Sequence, residues 1–230
     1  MIGKLYGIAT GPGDPELLTI KAIKALGRAD VIAIPAHSGE DRTALAIVQQ
    51  YVQDKEVLEC FFAMSRNVDE RVAARKAAAQ SIVRYLDAGK TVGFITLGDS
   101  TTYSTYMYVH EIVTELGYPA EIIPGVTSFA AAAAALGIAL CIGDESLTVI
   151  PARHSQDISE LLDIPGNKVI MKSSANLVSV LEELKRRGQN NNTYVVSRAS
   201  MADQRLFRSI DNFLEDPETG YFTIAIVKEG

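Results

Sequence analysis

The strongest constraint on the fold is an alternation along the first half of the chain. Residues 4–10 form a short apolar stretch of the kind that builds a strand, 15–28 carry helical periodicity, 30–34 read as a strand and 43–51 as a helix. A parallel neighbour is reached only by a crossover over the sheet face, so this order predicts parallel βαβ units and an α/β fold. The pattern continues with a helix over 68–88 stopped by Gly89, an apolar strand over 91–97, and a helix over 102–116 stopped by Gly117. Gly117-Tyr118-Pro119 breaks regular structure, and a domain boundary is expected there, giving α/β domains over 1–117 and 118–230. The second half predicts strands over 121–123, 147–150, 168–171, 193–197 and 222–227, with an extra strand over 206–210. A small-residue helix over 126–135 and an amphipathic helix over 176–187 lie among them, and the resulting sheet can be mixed.

Composition narrows the function. A formal net charge of -6 argues against a general nucleic-acid surface, which needs a lysine and arginine excess to displace counterions from phosphates. Residues 1–10 lack the basic flank and apolar run of a secretory signal. The most apolar stretch, 126–142, falls short of the roughly 18 to 20 residues of a membrane span and is broken by Gly137, so it reads as a buried helix. A cytoplasmic location is expected. Cys60 and Cys141 stand far apart and read as core thiols, and His37, His110 and His154 are scattered, so neither a disulfide nor a protein-held metal is expected.

Three strand-to-helix loops concentrate the chemistry. Gly11-Pro12-Gly13-Asp14-Pro15 lets the backbone turn sharply beside a ligand, with Asp14 placed to cap the next helix and Pro15 at its first position. Gly98-Asp99-Ser100-Thr101-Thr102-Tyr103-Ser104 follows the strand over 91–97, where Asp99 or Ser100 also fits a plain helix cap. Pro124-Gly125-Val126-Thr127-Ser128 opens the alanine-lined helix, whose small side chains admit a flat ligand or simply close packing. Open α/β sheets bind ligands outside the carboxyl ends of their strands, so loops at those ends point to one pocket. The dinucleotide fingerprint GxGxxG and the phosphate loop GxxxxGK[ST] are both missing from the sequence, which removes the usual support for nicotinamide and nucleoside triphosphate chemistry.

Taken together, GPGDPELLT at 11–19, Gly98-Asp99 after a strand and PGVTS at 124–128 resemble the tetrapyrrole methylase family, in its order and roughly its spacing across the whole chain. Within it, GDSTTYSTYM at 98–107 and the alanine helix followed by Leu136-Gly137-Ile138 most resemble the branch that methylates precorrin-2 at C-20. That branch usually carries GDPxxYSTYM, so Ser100 in place of proline implies a less rigid loop and altered cofactor affinity. Ser197-Arg198-Ala199-Ser200 is similar to the family's ERA[ST] stretch, with Ser197 replacing an acid.

The resemblance implies two α/β domains with S-adenosylmethionine in the cleft between them, and a homodimer. It implies Pro12 in the loop facing the cleft, and Leu97, Gly98, Asp99 and Thr102 around the methionine part of the cofactor. Thr127 and Ser128 follow from the third block, Met171 and Ala199 fall on the adenine side, and Tyr103 and Ser104 line the pocket. The implied reaction is methyl transfer to C-20 of precorrin-2 or cobalt-factor II in cobalamin biosynthesis.

A sulfonium already makes its methyl group electrophilic, so alignment and exclusion of water are the protein's main tasks, and no catalytic side chain is assigned. The substrate's carboxylates call for cations. Arg42, Arg66, Arg153, Arg198 and Arg205 are candidates, with Lys172 and His37 as further polar contacts and Tyr106 and Tyr108 on a helix. Each of these equally fits an ordinary surface or core role. Competing readings are a family branch acting at another ring carbon, a ribosomal RNA methyltransferase, which the acidic charge disfavours, and a noncatalytic tetrapyrrole-binding protein.

Overall fold

The computed structural model describes residues 2–36, 42–63, 65–152, 158–173, 176–217 and 220–229. The chain divides into two compact units, Met1–Thr127 and Ser128–Gly230.

In the first unit five strands form a wholly parallel sheet: β1 (Leu5–Ala9), β2 (Val31–Ala36), β3 (Glu56–Phe61), β4 (Val92–Thr96) and β5 (Ala120–Ile123), in the order β3-β2-β4-β1-β5. Parallel sheets are buried on both faces, and this one is. Leu5, Val31, Ala33, Val92 and Phe94 pack against α3 (Val68–Asp87) and α4 (Tyr106–Glu115). Ile8, Ile32, Ile34 and Ile95 pack against α1 (Ile20–Arg28) and α2 (Thr43–Val52) on the other face.

Two expectations about this half need correction. The break at Gly117 is a tight return within the first unit, not a boundary: Tyr118 N–H donates to Val113 O at 3.2 Å, and β5 then adds beside β1 in parallel register. Both Lys4 and Lys21 reach Glu121 on that strand, at 2.7 Å each. The second is β3, a strand that the pattern over 52–67 does not predict. It is an edge strand in which only Cys60 is fully buried, so Glu56 and Glu59 hide its apolar content.

The second unit holds a mixed sheet, order β6-β7-β10-β8-β9, from β6 (Leu147–Pro151), β7 (Asn167–Met171), β8 (Thr193–Ser197), β9 (Arg205–Phe207) and β10 (Thr223–Val227). β6 and β7 are parallel, while β10 runs antiparallel to β7 and β8. One face packs Ile150, Ile170, Val195 and Ala225 against α6 (Ile158–Asp163), α7 (Leu177–Arg186) and α8 (Ile210–Leu214), and α5 (Ser128–Leu136) contacts β10. The small-residue helix expected over 126–135 runs from Ser128 to Leu136, whose carbonyl accepts from Arg208 Nη2 at 3.1 Å, and the rest of the apolar stretch to 142 lies beyond it. Cys141 lies beyond that end and is exposed, so of the two thiols only Cys60 is in a core.

Candidate functional site

The loops leaving β1, β4 and β5 are tied to one another by backbone and side-chain hydrogen bonds. Gly11 and Gly98 take left-handed φ values of 72° and 74°, a region that favours glycine. They pair as a two-residue bridge, with Gly11 N–H donating to Gly98 O at 3.1 Å and Gly98 N–H to Gly11 O at 2.7 Å. Thr10 extends the tie, its N–H and hydroxyl both donating to Thr96 O, at 2.8 and 3.1 Å. Gly125 is fixed by space: a Cβ there would lie 2.6 Å from Ala9 Cβ and 2.7 Å from Gly98 O.

Asp99 is the hub. It is 7% exposed, and its Oδ1 accepts from Thr101 N–H at 2.8 Å, Thr101 Oγ1 at 2.5 Å and Thr102 Oγ1 at 3.4 Å, while Oδ2 accepts from Gly125 N–H at 2.9 Å. Burial works to raise its carboxyl pKa. The hydrogen bonds from the Thr101 hydroxyl, the Gly125 and Thr101 amides and Thr102 outweigh that and hold it below the ordinary aspartate value. Asp99 therefore binds the second loop to the third, and does not cap α4. That helix begins at Tyr106 rather than at residue 102, because the chain turns left-handed at Tyr103, φ 52°.

Ser100, where the family pattern has proline, is fully buried with its hydroxyl 3.0 Å from Thr96 Oγ1. A hydrogen bond thus anchors the position. The sequence places Thr101 in the second motif without a role and gives no signal for Thr96, although both carry hydroxyls at a strand end. Pro12, Leu97, Gly98, Asp99, Thr102, Tyr103 and Thr127 all sit on these three joined loops. Gly98 is buried, yet a Cβ built there meets nothing within 4 Å, so there is room beside its backbone. Asp14 caps a short 3₁₀ turn through Glu16 N–H at 2.8 Å, and Thr19 caps α1 through Ala22 N–H at 3.0 Å.

The other expected site residues belong to the second unit. Ser128 is the first residue of α5. Met171 closes β7 and Ala199 follows β8; both strands run antiparallel to β10 between them, so the two residues lie at the same end of the sheet, where β10 enters after Tyr221 and Phe222. Ala199 is buried between Arg198, φ 53°, and Ser200, φ 63°. Arg198 N–H donates to Phe222 O at 3.0 Å and Ser200 N–H to Gln204 Oε1 at 2.7 Å, which holds the turn. Lys172, φ 54°, follows Met171 directly. Left-handed backbone at a non-glycine residue costs on the order of 1–3 kcal/mol and gathers at functional sites. Ser197, in place of the family's acid, is fully buried with Oγ 3.0 Å from Thr223 Oγ1 across the β8–β10 pair.

The remaining candidates separate. Tyr106 is fully buried with its hydroxyl 2.9 Å from His110 Nδ1, and is core. Tyr108 is partly exposed under the Arg75 guanidinium, 3.4 Å from the ring centroid. Arg42 pairs with Glu59 at 2.5 Å, Arg198 with Asp203, and Arg205 with Asp216 at 2.7 Å. His37, Arg153 and His154 lie outside the described residues.

A family profile described as Tetrapyrrole (Corrin/Porphyrin) Methylases matches residues 4–210. The chain is 35% identical to a cobalt-precorrin-2 C(20)-methyltransferase of Salmonella typhimurium, over 100% of this chain and 98% of that protein. It is 32% identical to a precorrin-2 C(20)-methyltransferase of a Sinorhizobium species, over 98% of this chain and 95% of the relative. A Thermus thermophilus uroporphyrin-III C-methyltransferase, solved in complex with S-adenosyl homocysteine, shares the fold with a TM-score of 0.71 at 23% identity, over 99% of this chain and 98% of that one. With the glycine loops joined at the strand ends and a match spanning nearly the whole sequence, the chain belongs to the tetrapyrrole methylase family.

Proposed function

We propose that this protein transfers a methyl group from S-adenosylmethionine to C-20 of precorrin-2 or cobalt-factor II in cobalamin biosynthesis. The observation that carries the reading is end-to-end identity above 30% to two proteins named for C-20 methylation of that ring system. The joined loops support it, because they leave room beside Gly98 and form a rigid frame at the carboxyl ends of β1, β4 and β5.

In this reading Pro12, Leu97, Gly98 and Thr102 hold the methionine part of the cofactor, with Thr127 and Ser128 beside them, and Tyr103 lines the pocket. Asp99 acts by positioning, since the hydrogen bonds it accepts keep two loops in register. The assignment of Met171 and Ala199 to the adenine rests on the sequence pattern. Bound there, S-adenosylmethionine supplies an activated methyl group and its own leaving group. The chain's residues then have to orient the acceptor carbon and exclude water, which can supply much of the acceleration without a nucleophilic side chain.

We further take the working protein to be a cytoplasmic homodimer with a tetrapyrrole partner and no nucleic acid. An exposed free thiol at Cys141 suits a reducing compartment, and among the described residues no helix is long and apolar enough to cross a membrane. Incubating the protein with methyl-labelled cofactor and either precorrin-2 or cobalt-factor II tests the assignment. Label should enter at least one of the two, and the ratio of turnovers identifies the preferred metal state. Transfer to neither removes the proposal.

A further inference from the structure

We propose that Tyr106 is a positioning residue for the cofactor: its ring, seated in a notch at Gly7, clamps the returning end of the loop that follows β4. This rests on the reading above that this loop holds S-adenosylmethionine, and adds what fixes the loop's far end.

The loop is tied down where it leaves the sheet, through the Gly11–Gly98 bridge, the Ser100–Thr96 hydroxyl pair and the bond from Gly125 N–H to Asp99. It then passes through Tyr103, left-handed at φ 52° and 44% exposed. The chain regains the core at Tyr106, the first residue of α4, which is fully buried. Tyr106 N–H donates back to Ser104 Oγ at 3.2 Å, so wherever the ring is seated the last residues of the loop are held too.

The seat is made by a missing side chain. Gly7 lies in the middle of β1, a strand buried along its whole length, where a parallel sheet ordinarily carries a branched side chain. Its φ is not left-handed, so the backbone does not call for glycine there. Space does: a Cβ at Gly7 would lie 2.0 Å from Tyr106 Cε1 and 2.1 Å from Cζ. A glycine inside a strand weakens it and marks the close approach of another group, which here is this ring. Gly7 is the register partner of Phe94 on β4, and the Phe94 ring lies 5.5 Å from that of Tyr106 between centroids. The ring therefore rests across the two strands from which the first and second loops spring, and fixes the return of one loop against the origin of both. Its hydroxyl meets His110 Nδ1 at 2.9 Å, one turn along α4, and the Gly7 backbone, so the buried phenol is satisfied where it sits.

The test compares Tyr106→Leu, Tyr106→Phe and Ile82→Ala in the full chain, by melting temperature and by calorimetric titration with S-adenosyl homocysteine. Ile82 is fully buried in the same core cluster but belongs to α3, which follows none of the three loops. Tyr106→Leu and Ile82→Ala both open space in that core, and both should lower the melting temperature. Only Tyr106→Leu should weaken S-adenosyl homocysteine binding, by roughly tenfold or more, because only it releases the loop. Tyr106→Phe, which keeps a ring in the notch, should recover most of the affinity. Parent affinity in folded Tyr106→Leu overturns the inference. So does an equal loss in Ile82→Ala, which would make affinity follow stability alone. A loss in Tyr106→Phe as large as in Tyr106→Leu overturns it as well, by moving the role from the ring to the hydroxyl. Should the leucine variant fail to fold, Tyr106→Met is measured in the same way: weakened affinity supports the inference, and unchanged affinity overturns it. If the parent itself does not bind S-adenosyl homocysteine, the functional reading falls, an outcome distinct from a binding parent with an indifferent variant.

Discussion

Replacing Asp99 by asparagine keeps the shape of the side chain and removes half of its accepting ability. One amide oxygen can serve either the Thr101 amide and hydroxyl or the Gly125 amide, and the new NH₂ then faces a donor on the other side. Hydrogen bonds to a buried charged group are worth about 1.5–3 kcal/mol, so Asp99→Asn should destabilise the first unit by about that amount. For a chain of this size that lowers the melting temperature by roughly 3–10 °C. Because the second and third loops are no longer held in register, S-adenosyl homocysteine affinity, read by titration calorimetry, should fall as well. The effect has a pH signature. The folded carboxyl lies below its ordinary 3.8, so its contribution is complete above that value and is lost as pH falls through the lower folded pKa. The gap between parent and variant should therefore be constant from neutral to mildly acid conditions and close only below about pH 4. An asparagine variant with the parent's melting temperature and cofactor affinity would refute the claim that this carboxylate joins the loops.

Gly98→Arg should fold, since a Cβ there meets nothing within 4 Å, at a strain of about 1–2 kcal/mol from its φ of 74°, yet it should lose S-adenosyl homocysteine binding by calorimetry. Unchanged affinity in the folded variant would put the cofactor elsewhere. Light scattering should give a dimer mass at micromolar concentration, and a fully active monomer would reject that expectation. A protein general base would contribute about 10²-fold to 10⁴-fold, so His37→Ala and Tyr103→Phe should each lose less than that in single-turnover rate at saturating ligands. A larger loss rescued by an added small base would reveal a proton-transfer residue.

The parallel half of the fold was legible because its strands are buried on both faces and its helices are bounded by Gly89 and Gly117. What escaped was exposed or short. β3 shows two glutamates on an open edge, and α6 and α8 are only about one turn and a half long, too brief for periodicity to stand out. The boundary was misplaced because Gly117 and Pro119 look alike whether they form a linker or a tight return; only the pairing of β5 with β1 distinguishes the two. The site's loops were visible as glycine, proline and hydroxyl clusters at strand ends. Their joining was not, because Asp99 reaches Gly125 across 26 residues of sequence. Nor does sequence show that Lys172 occupies a left-handed turn, which is a matter of backbone geometry.

The measurement that bears most directly on the account is the position of the transferred carbon. Turnover of precorrin-2 or cobalt-factor II with S-adenosylmethionine carrying a ¹³C methyl group, followed by carbon NMR of the product, should place a single enriched methyl at C-20. Enrichment at any other ring carbon, or a product without enrichment, would contradict it.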